Sequence, residues 1–350
     1  MSVEKATRYI IFGAGAIGGA MGVMLARAGA RVLCVARPAQ AEALRRGLVI
    51  KQEGERITAK VEAVTSSLDL APESGDTLVI TTKSQATEGA VKELASVYDK
   101  NTPVVCLQNG VSNEEMAARV FNNIYAGLVF FSAVQLEPES ITLPRGRVIA
   151  IGCYPEGVDD RARTFCDDLS RAGFDSFAAA HVMAIKWGKF LLNLNNATHA
   201  ITGYWIEQGM SDDDMRKLMY KVRVEGLRVL DMAGVEVEPP PGEPSPIRIR
   251  EMNEKLRQYS KASDGGADLP EEQRTYASMW QDLYLGRKSG EADYLNGKIV
   301  EIGKRLGVPT PYNSALLEIV NRMFDEGLKP GIHTPAQLHD LIRARMGNSS

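Results

Sequence analysis

Cysteine is scarce: Cys34, Cys106, Cys153 and Cys166 are scattered through 350 residues without paired or metal-like spacing. That excludes a disulfide-stapled scaffold and points to buried free thiols in a reducing compartment, with no metal site expected. No run of 18 apolar residues occurs, so no membrane span is expected. The first stretch, Met1 to Arg8, is polar and lacks the apolar core of a secretory signal. An excess of one charge is also missing. Forty-one Lys and Arg stand against 44 Asp and Glu, a net charge of −3, which gives no basic field for nucleic acid. No internal repeat is visible. What remains is ordinary for a globular chain, 44% hydrophobic and 24% charged, and long enough for about two domains. Small molecules are the expected partners, and the cytoplasm is the expected location.

The stretch richest in information is Tyr9-Ile-Ile-Phe-Gly-Ala-Gly-Ala-Ile-Gly-Gly. An apolar strand runs into Gly13, Gly15 and Gly18 at the spacing G-x-G-x-x-G. A helix over 20–28 and a second strand over 31–35 follow. The complete strand–turn–helix–strand unit, rather than the glycines alone, identifies a dinucleotide-binding loop of the Rossmann type. Gly13 permits the turn, Gly15 lets a pyrophosphate approach the backbone, and Gly18 lets helix and strand pack closely. Gly13, Ala14, Gly15, Ala16, Ile17 and Gly18 would thus frame the phosphates at a helix N-terminus. A glycine turn needed only for packing is the alternative.

An NAD site of this kind places a carboxylate about 20 positions past the loop. Here the second strand ends Val35-Ala36-Arg37-Pro38. Arg37 suits the 2′-phosphate of NADP(H), unless it is a solvated surface arginine. Arg45 and Arg46 read as exposed helix residues. Two further strand ends carry Thr82-Lys83-Ser84-Gln85 and Gln108-Asn109-Gly110. Ligands of open α/β sheets sit outside the carboxyl ends of the strands, which makes Lys83 and Asn109 candidates for contact with cofactor or substrate. Turn chemistry alone would also collect such residues. Ser112 or Asn113 is the expected cap of the next helix. Strands over 124–136 and 147–151 complete the sheet, and the first domain is expected to span residues 1–180.

From residue 181 to 350 the helical period dominates, with helices expected at 182–198, 211–233, 271–288, 292–306, 312–327 and 335–346. Residues 238–246 are proline-rich, and 247–262 read as a helix over the site or a lid. Residues 347–350 read as a frayed end. In the first of these helices Lys189, Asn193 and Asn196 are spaced i, i+4, i+7 on one face, between apolar flanks. An ammonium in such surroundings needs partners, so that face suggests a polar site. Lys186 reads as solvated. Glu291, by composition, is an acid at a helix N-terminus.

As a set, Gly-Ala-Gly-Ala-Ile-Gly (13–18), Thr-Lys-Ser-Gln (82–85), Gln-Asn-Gly (108–110), Lys-Trp-x-Lys-x-x-x-Asn (186–193), Ser-Met-x-Gln-Asp (278–282) and Glu-x-Asp-Tyr-x-Asn-Gly (291–297) resembles the ketopantoate reductase (2-dehydropantoate 2-reductase) family. The resemblance implies a Rossmann domain followed by an all-helical domain, with the site in the cleft between them. The implied activity is reduction of 2-dehydropantoate to pantoate with NADPH, on the pathway to coenzyme A. Lys189 would give a proton to the carbonyl oxygen as hydride reaches carbon. Asn193 would bind substrate, with Asn196 beside it, and Ser278 would hold the carboxylate end. Glu291 would lie near the lysine and the nicotinamide ribose. Lys83 and Asn109 would contact cofactor and substrate, and Arg37 the 2′-phosphate. A homodimer through the helical domain is left open.

This sequence departs from the family where Ala197 stands at a second asparagine and Asn-Pro-Leu-Thr-Ala becomes Asn196-Ala-Thr-His-Ala. These changes bear on the substrate more than on the reaction. A relative acting on another 2-oxo acid or ketone is one alternative. The β-hydroxyacid dehydrogenase group also uses a Lys-x-x-x-Asn helix, but its glycine-rich substrate loop is missing here. A non-catalytic NADPH-binding sensor or scaffold is the alternative of another class.

Overall fold

The computed structural model describes residues 7–52, 54–143, 146–243, 269–270 and 274–347. The chain divides into two compact units, residues 1–186 and 187–350. In chain order the first holds β1 (Arg8–Phe12), α1 (Ala16–Arg27), β2 (Arg31–Val35), α2 (Pro38–Arg46), β3 (Leu48–Gln52), β4 (Glu55–Ala59), β5 (Glu62–Val64) and β6 (Asp76–Ile80). Then come α3 (Thr87–Ala95), β7 (Val104–Cys106), α4 (Asn113–Ala118), β8 (Ile124–Phe130), β9 (Val134–Glu137), β10 (Ser140–Thr142), β11 (Val148–Cys153), α5 (Asp160–Arg171), β12 (Asp175–Ala178) and the start of α6 (Val182–Asn193).

Eight of these strands form one sheet in the order β12-β11-β8-β7-β6-β1-β2-β5. β1 is parallel to both β2 and β6, so the strand order reverses around it. Its side chains alternate between two cores. Tyr9 and Ile11 join Met21, Leu25, Phe165 and Leu169 on one face. Ile10 joins Leu78, Ile80, Leu94 and Phe121 on the other. A strand buried on both faces reads as one continuous apolar run, as Tyr9 to Phe12 does. A smaller sheet, β4-β3-β10-β9, accounts for the alternating residues 48–59 and for the chain after Phe130. The single strand expected over 124–136 is therefore two: the chain bends at Phe131, and β9 pairs antiparallel with β10.

The second unit holds the rest of α6, then α7 (Asn196–Thr202), α8 (Ile206–Ser211), α9 (Asp213–Met232), α10 (Ser278–Tyr284), α11 (Asn296–Leu306), α12 (Pro311–Asp325) and α13 (Pro335–Gly347). Among its described residues there is no strand. Local chemistry fixes the helix ends. Asp212 accepts from Met215 N at 2.7 Å and caps α9, while Gly307 stops α11 in the left-handed region at φ +67°. Pro311 opens α12 at a position that needs no N–H.

Three helices depart from expectation. The helix expected over 182–198 breaks after Asn193: residues 194 and 195 form a turn, and a second helix starts at Asn196. The one expected over 271–288 is helical only from Ser278 to Tyr284. The one expected from residue 292 begins at Asn296. The stretch read as a helix or lid, 247–262, lies outside the described residues, as do 1–6, 264–268, 271–273 and 348–350.

Lys186 is not solvated. Its Nζ pairs with Glu114 and also donates to the Gln108 carbonyl at 3.2 Å, and the two charged side chains are 3% and 0% exposed. Val182 and Ile185 on the same turn pack against Ala126, Leu128 and Ala150, leaving Lys186 no route to water. Helical periodicity could not reveal an acid 72 residues away. Removing one member of a buried pair strands the other charge. Lys186→Ala should therefore cost about 3 to 5 kcal/mol in urea unfolding, and Lys186→Met with Glu114→Leu should recover most of it. Equal losses in both variants would show that the charges do not compensate each other.

His199 is a second buried ionisable group, 5% exposed, with Nδ1 at 3.0 Å from the Tyr204 carbonyl. Burial pushes its pKa down from 6.5 to about 4. The unfolded chain thus binds the extra proton. Stability is complete above about pH 6.5 and falls as pH drops toward 4. From pH 7 to pH 5 this residue should cost the protein about 2 kcal/mol. Urea titrations of His199→Gln should lack that increment. An unchanged pH dependence in the variant would refute the assignment.

Candidate active site

Gly13 to Gly18 forms the turn from β1 into α1, beside β6. Gly13 has φ +97°, and its N–H bonds the Val35 carbonyl at 3.0 Å. A Cβ there would stand 2.5 Å from Thr82 Cγ2 and 2.8 Å from Thr82 N. At Gly18 it would stand 2.3 Å from Thr81 Oγ1 and 2.9 Å from the Gly13 carbonyl. These two glycines are required by the protein's own packing. Gly15 is different: it is exposed, and its Cβ would meet nothing nearer than the Gly13 carbonyl at 4.0 Å. No internal contact demands a glycine there, whereas a pyrophosphate lying against the backbone would. No side chain caps α1, and its first turn carries no acid, so its N-terminal N–H groups and positive dipole end suit an anion. Ala14 is buried beneath the turn, while Ala16 and Ile17 are half-buried in the first helical turn. The loop fits a dinucleotide.

Val35, which accepts from Gly13, lies two residues before Arg37. Arg37 is exposed, extended at φ −61° and ψ 155°, and precedes Pro38 at the first position of α2. It makes no ion pair among the described residues. Its placement beside the glycine turn is what a 2′-phosphate contact requires.

Lys83 and Asn109, both half-buried, stand at the ends of β6 and β7. A polar network ties their loops together. Gln108 Nε2 donates to Thr82 Oγ1 at 3.2 Å and to Thr87 Oγ1 at 2.6 Å, and Thr87 Oγ1 donates to Asn113 Oδ1 at 2.8 Å. Asn113 Nδ2 and Ser84 Oγ both donate to the Asn109 carbonyl, at 2.7 and 3.1 Å. The expected cap of α4 is thus absent: Ser112 holds the cap position without a side-chain bond, and Asn113 reaches back to the loop instead. Thr82 packs under Gly13, so the glycine turn, the Lys83 loop and the Asn109 loop form one supported edge of this unit.

In the second unit Lys189 and Asn193 stand one turn apart on α6 and are half-buried. The Asn193 amide nitrogen is buried without an acceptor. Such a group costs free energy unless something else satisfies it. Because the helix breaks after Asn193, Asn196 does not continue that face. Its Nδ2 lies 3.3 Å from Ser278 Oγ, which joins two sequence-predicted residues 82 positions apart. Glu291 is 4% exposed and does not lie in a helix's first turn; α11 begins five residues later, and residues 291–295 form hydrogen-bonded turns. Glu114 and Asn296 carry buried polar contacts without having been singled out. Asn296 left a trace as a member of the motif over 291–297, as Lys186 did in that over 186–193. Among the described residues, no cluster of His, Cys, Asp and Glu could hold a metal ion.

Two family models match the chain: residues 9–156 match Ketopantoate reductase PanE/ApbA, and residues 181–324 match its C-terminal domain. The 2-dehydropantoate 2-reductase of Pyrococcus horikoshii is 30% identical, over 89% of this chain and 96% of its own. That of Archaeoglobus fulgidus is 28% identical, over 93% and 100%. Among solved structures, the PanE/ApbA family ketopantoate reductase of Ralstonia eutropha aligns with a TM-score of 0.75 and 26% identity, covering 92% of this chain and 99% of its own. A D-mandelate dehydrogenase solved with NADH and anilino(oxo)acetate shares the fold, with a TM-score of 0.76 and 24% identity over 92% of this chain and 99% of its own.

The two kinds of glycine should separate experimentally. Gly15→Ala should leave the thermal midpoint unchanged and weaken dinucleotide binding measured by fluorescence titration. Gly18→Ala should lower the midpoint, since its Cβ meets backbone at 2.9 Å. A Gly15→Ala protein that binds the dinucleotide normally would remove the phosphate role.

Proposed function

The chain belongs to the Ketopantoate reductase PanE/ApbA family and is an oxidoreductase acting on a 2-oxo acid, and from that premise we propose NADPH as its reductant and 2-dehydropantoate as its substrate. The observation that carries this reading is the buried, acceptorless amide nitrogen of Asn193, one turn beyond Lys189. A substrate oxygen would satisfy it.

NADPH, when bound, supplies the hydride. The chain's own residues do the rest. Gly13 to Gly18 receive the pyrophosphate on backbone N–H groups, and Arg37 grips the 2′-phosphate with its guanidinium fork. Lys83 and Asn109 contact cofactor and substrate. Lys189 holds a proton on Nζ and gives it to the carbonyl oxygen, where negative charge develops chiefly in the transition state. Asn193 hydrogen-bonds the substrate. Ser278, steadied by Asn196, takes the carboxylate end, and Glu291 acts beside the lysine and the nicotinamide ribose.

A second reading keeps the chemistry and changes the acid. Ala197, fully buried, stands where the resemblance expects a second asparagine, so one substrate contact is missing. A different 2-oxo acid would suit that change. One such class is aromatic, the class related to the mandelate of the D-mandelate dehydrogenase.

NADPH absorbance, followed on adding a panel of aliphatic and aromatic 2-oxo acids, tests both readings. One acid should be turned over far better than the rest, and Lys189→Ala should lower its kcat about 100- to 10,000-fold with NADPH affinity nearly intact. NADPH should bind about tenfold or more tightly than NADH, a margin that Arg37→Ala abolishes. A Lys189→Ala protein with wild-type kcat, or equal affinity for the two cofactors, would overturn the corresponding assignment.

A further inference from the structure

The break after Asn193 leaves the Leu194 carbonyl at the end of α6, where a helix has no further N–H of its own to offer. Asn296, the first residue of α11 and 0% exposed, supplies the donor: its Nδ2 lies 3.0 Å from the Leu194 carbonyl across 102 positions of sequence. The same nitrogen donates to Asn313 Oδ1 at 2.9 Å. Asn313, also 0% exposed, turns its own nitrogen to Glu225 Oε1 at 2.8 Å and to the Val222 carbonyl at 3.2 Å. The Glu225 carboxylate further accepts from the backbone N–H groups of Tyr312 and Asn313, at 2.9 and 2.8 Å, at the N-terminus of α12.

Each amide in this series is oriented by the one behind it. Glu225 offers only acceptors, so Asn313 must face it with nitrogen and present its oxygen to Asn296. Asn296 must then point its nitrogen at Asn313 and at Leu194. The relay ends where the chemistry begins. Leu194 follows Asn193 directly. Asn296 lies five residues beyond Glu291, and the stretch between is held by bonds from Tyr294 N and Leu295 N to the Glu291 carbonyl, both 3.0 Å, and from Gly297 N to the Ala292 carbonyl, 2.9 Å.

We propose that Asn296 is a positioning residue of the reductase: its bond to the Leu194 carbonyl fixes the segment carrying Glu291 against the end of the helix carrying Lys189 and Asn193. The inference rests on the reading of Lys189 as the proton donor. It goes beyond that reading by naming a residue that touches neither substrate nor cofactor.

Asn296→Ala removes the bond to Leu194. Tyr98→Phe removes a buried side-chain hydrogen bond, from Tyr98 Oη to Asp76 Oδ2 at 3.1 Å, outside the relay and the site, so it serves as the control for loss of a buried hydrogen bond alone. Both variants should unfold at lower temperature. Only Asn296→Ala should lower kcat, by about 10- to 100-fold, the effect of a small misplacement of reacting groups. Its NADPH dissociation constant, read by fluorescence, should stay at the wild-type value, while the basic limb of its kcat–pH profile shifts. Tyr98→Phe should keep wild-type kcat and profile. Should Asn296→Ala fail to fold, Asn296→Ser, whose hydroxyl is too short to reach Leu194, replaces it in the same comparison. Lys189→Ala run alongside separates the two claims. Full turnover in Lys189→Ala overturns the proton-donor reading and this one with it. An inactive Lys189→Ala beside a folded Asn296 variant with wild-type kcat and pH profile overturns the positioning role alone.

Discussion

A polar group taken out of water must find a partner, and both units of this protein are arranged around that requirement. In the first unit Lys186 and Glu114 neutralise each other, and Gln108, Thr87 and Asn113 pass hydrogen bonds from one strand-end loop to the next. In the second, Glu225 orients Asn313, which orients Asn296, which closes the end of α6. An apolar core of the same volume could hold the elements together. It would not fix the direction of each amide, because dispersion contacts have no preferred orientation of this kind. A site that must present particular N–H groups benefits from a scaffold whose polar contacts admit few alternatives.

Several buried polar atoms have no partner within the protein, among them one oxygen each of Gln108, Glu114 and Asn296, and one of these atoms stands beside the candidate site: the Asn193 amide nitrogen, one turn from Lys189, is buried without an acceptor. The glycine loop gives the same kind of signal through space rather than bonding. Gly13 and Gly18 are accounted for by Thr81, Thr82 and the loop's own backbone, whereas no close contact among the described residues calls for a glycine at position 15. Internal packing thus explains two glycines of the motif and leaves the third to a ligand.

Much of the fold was legible in the residues. The continuous apolar run before Gly13 and the period near 3.6 beyond residue 181 are local signals, and the two-part architecture follows from them. Arg37, Lys83 and Asn109 stood out as candidates for a topological reason, since strand ends beside a glycine loop collect ligand contacts. The role proposed for Lys189 depends on resemblance, because spacing alone yields only a polar face. Lys186 was misread as solvated. A lysine on an amphipathic helix looks the same whether its face meets water or a buried carboxylate 72 residues away.

By itself, then, the sequence determined the type and order of most elements, the glycine turn, the absence of a carboxylate after β2 and the identity of the candidate site residues. All of these depend on neighbours a few positions apart. The tertiary structure alone decided that Asn196 meets Ser278, that Glu291 lies in a buried turn and that Asn296 bonds Leu194. Those outcomes depend on groups 80 or more positions apart, or on where a helix begins. The break after Asn193 joins the two levels. A cluster of asparagines is a local signal for ending a helix, but the carbonyl it frees is satisfied only because α11 starts where it can reach it.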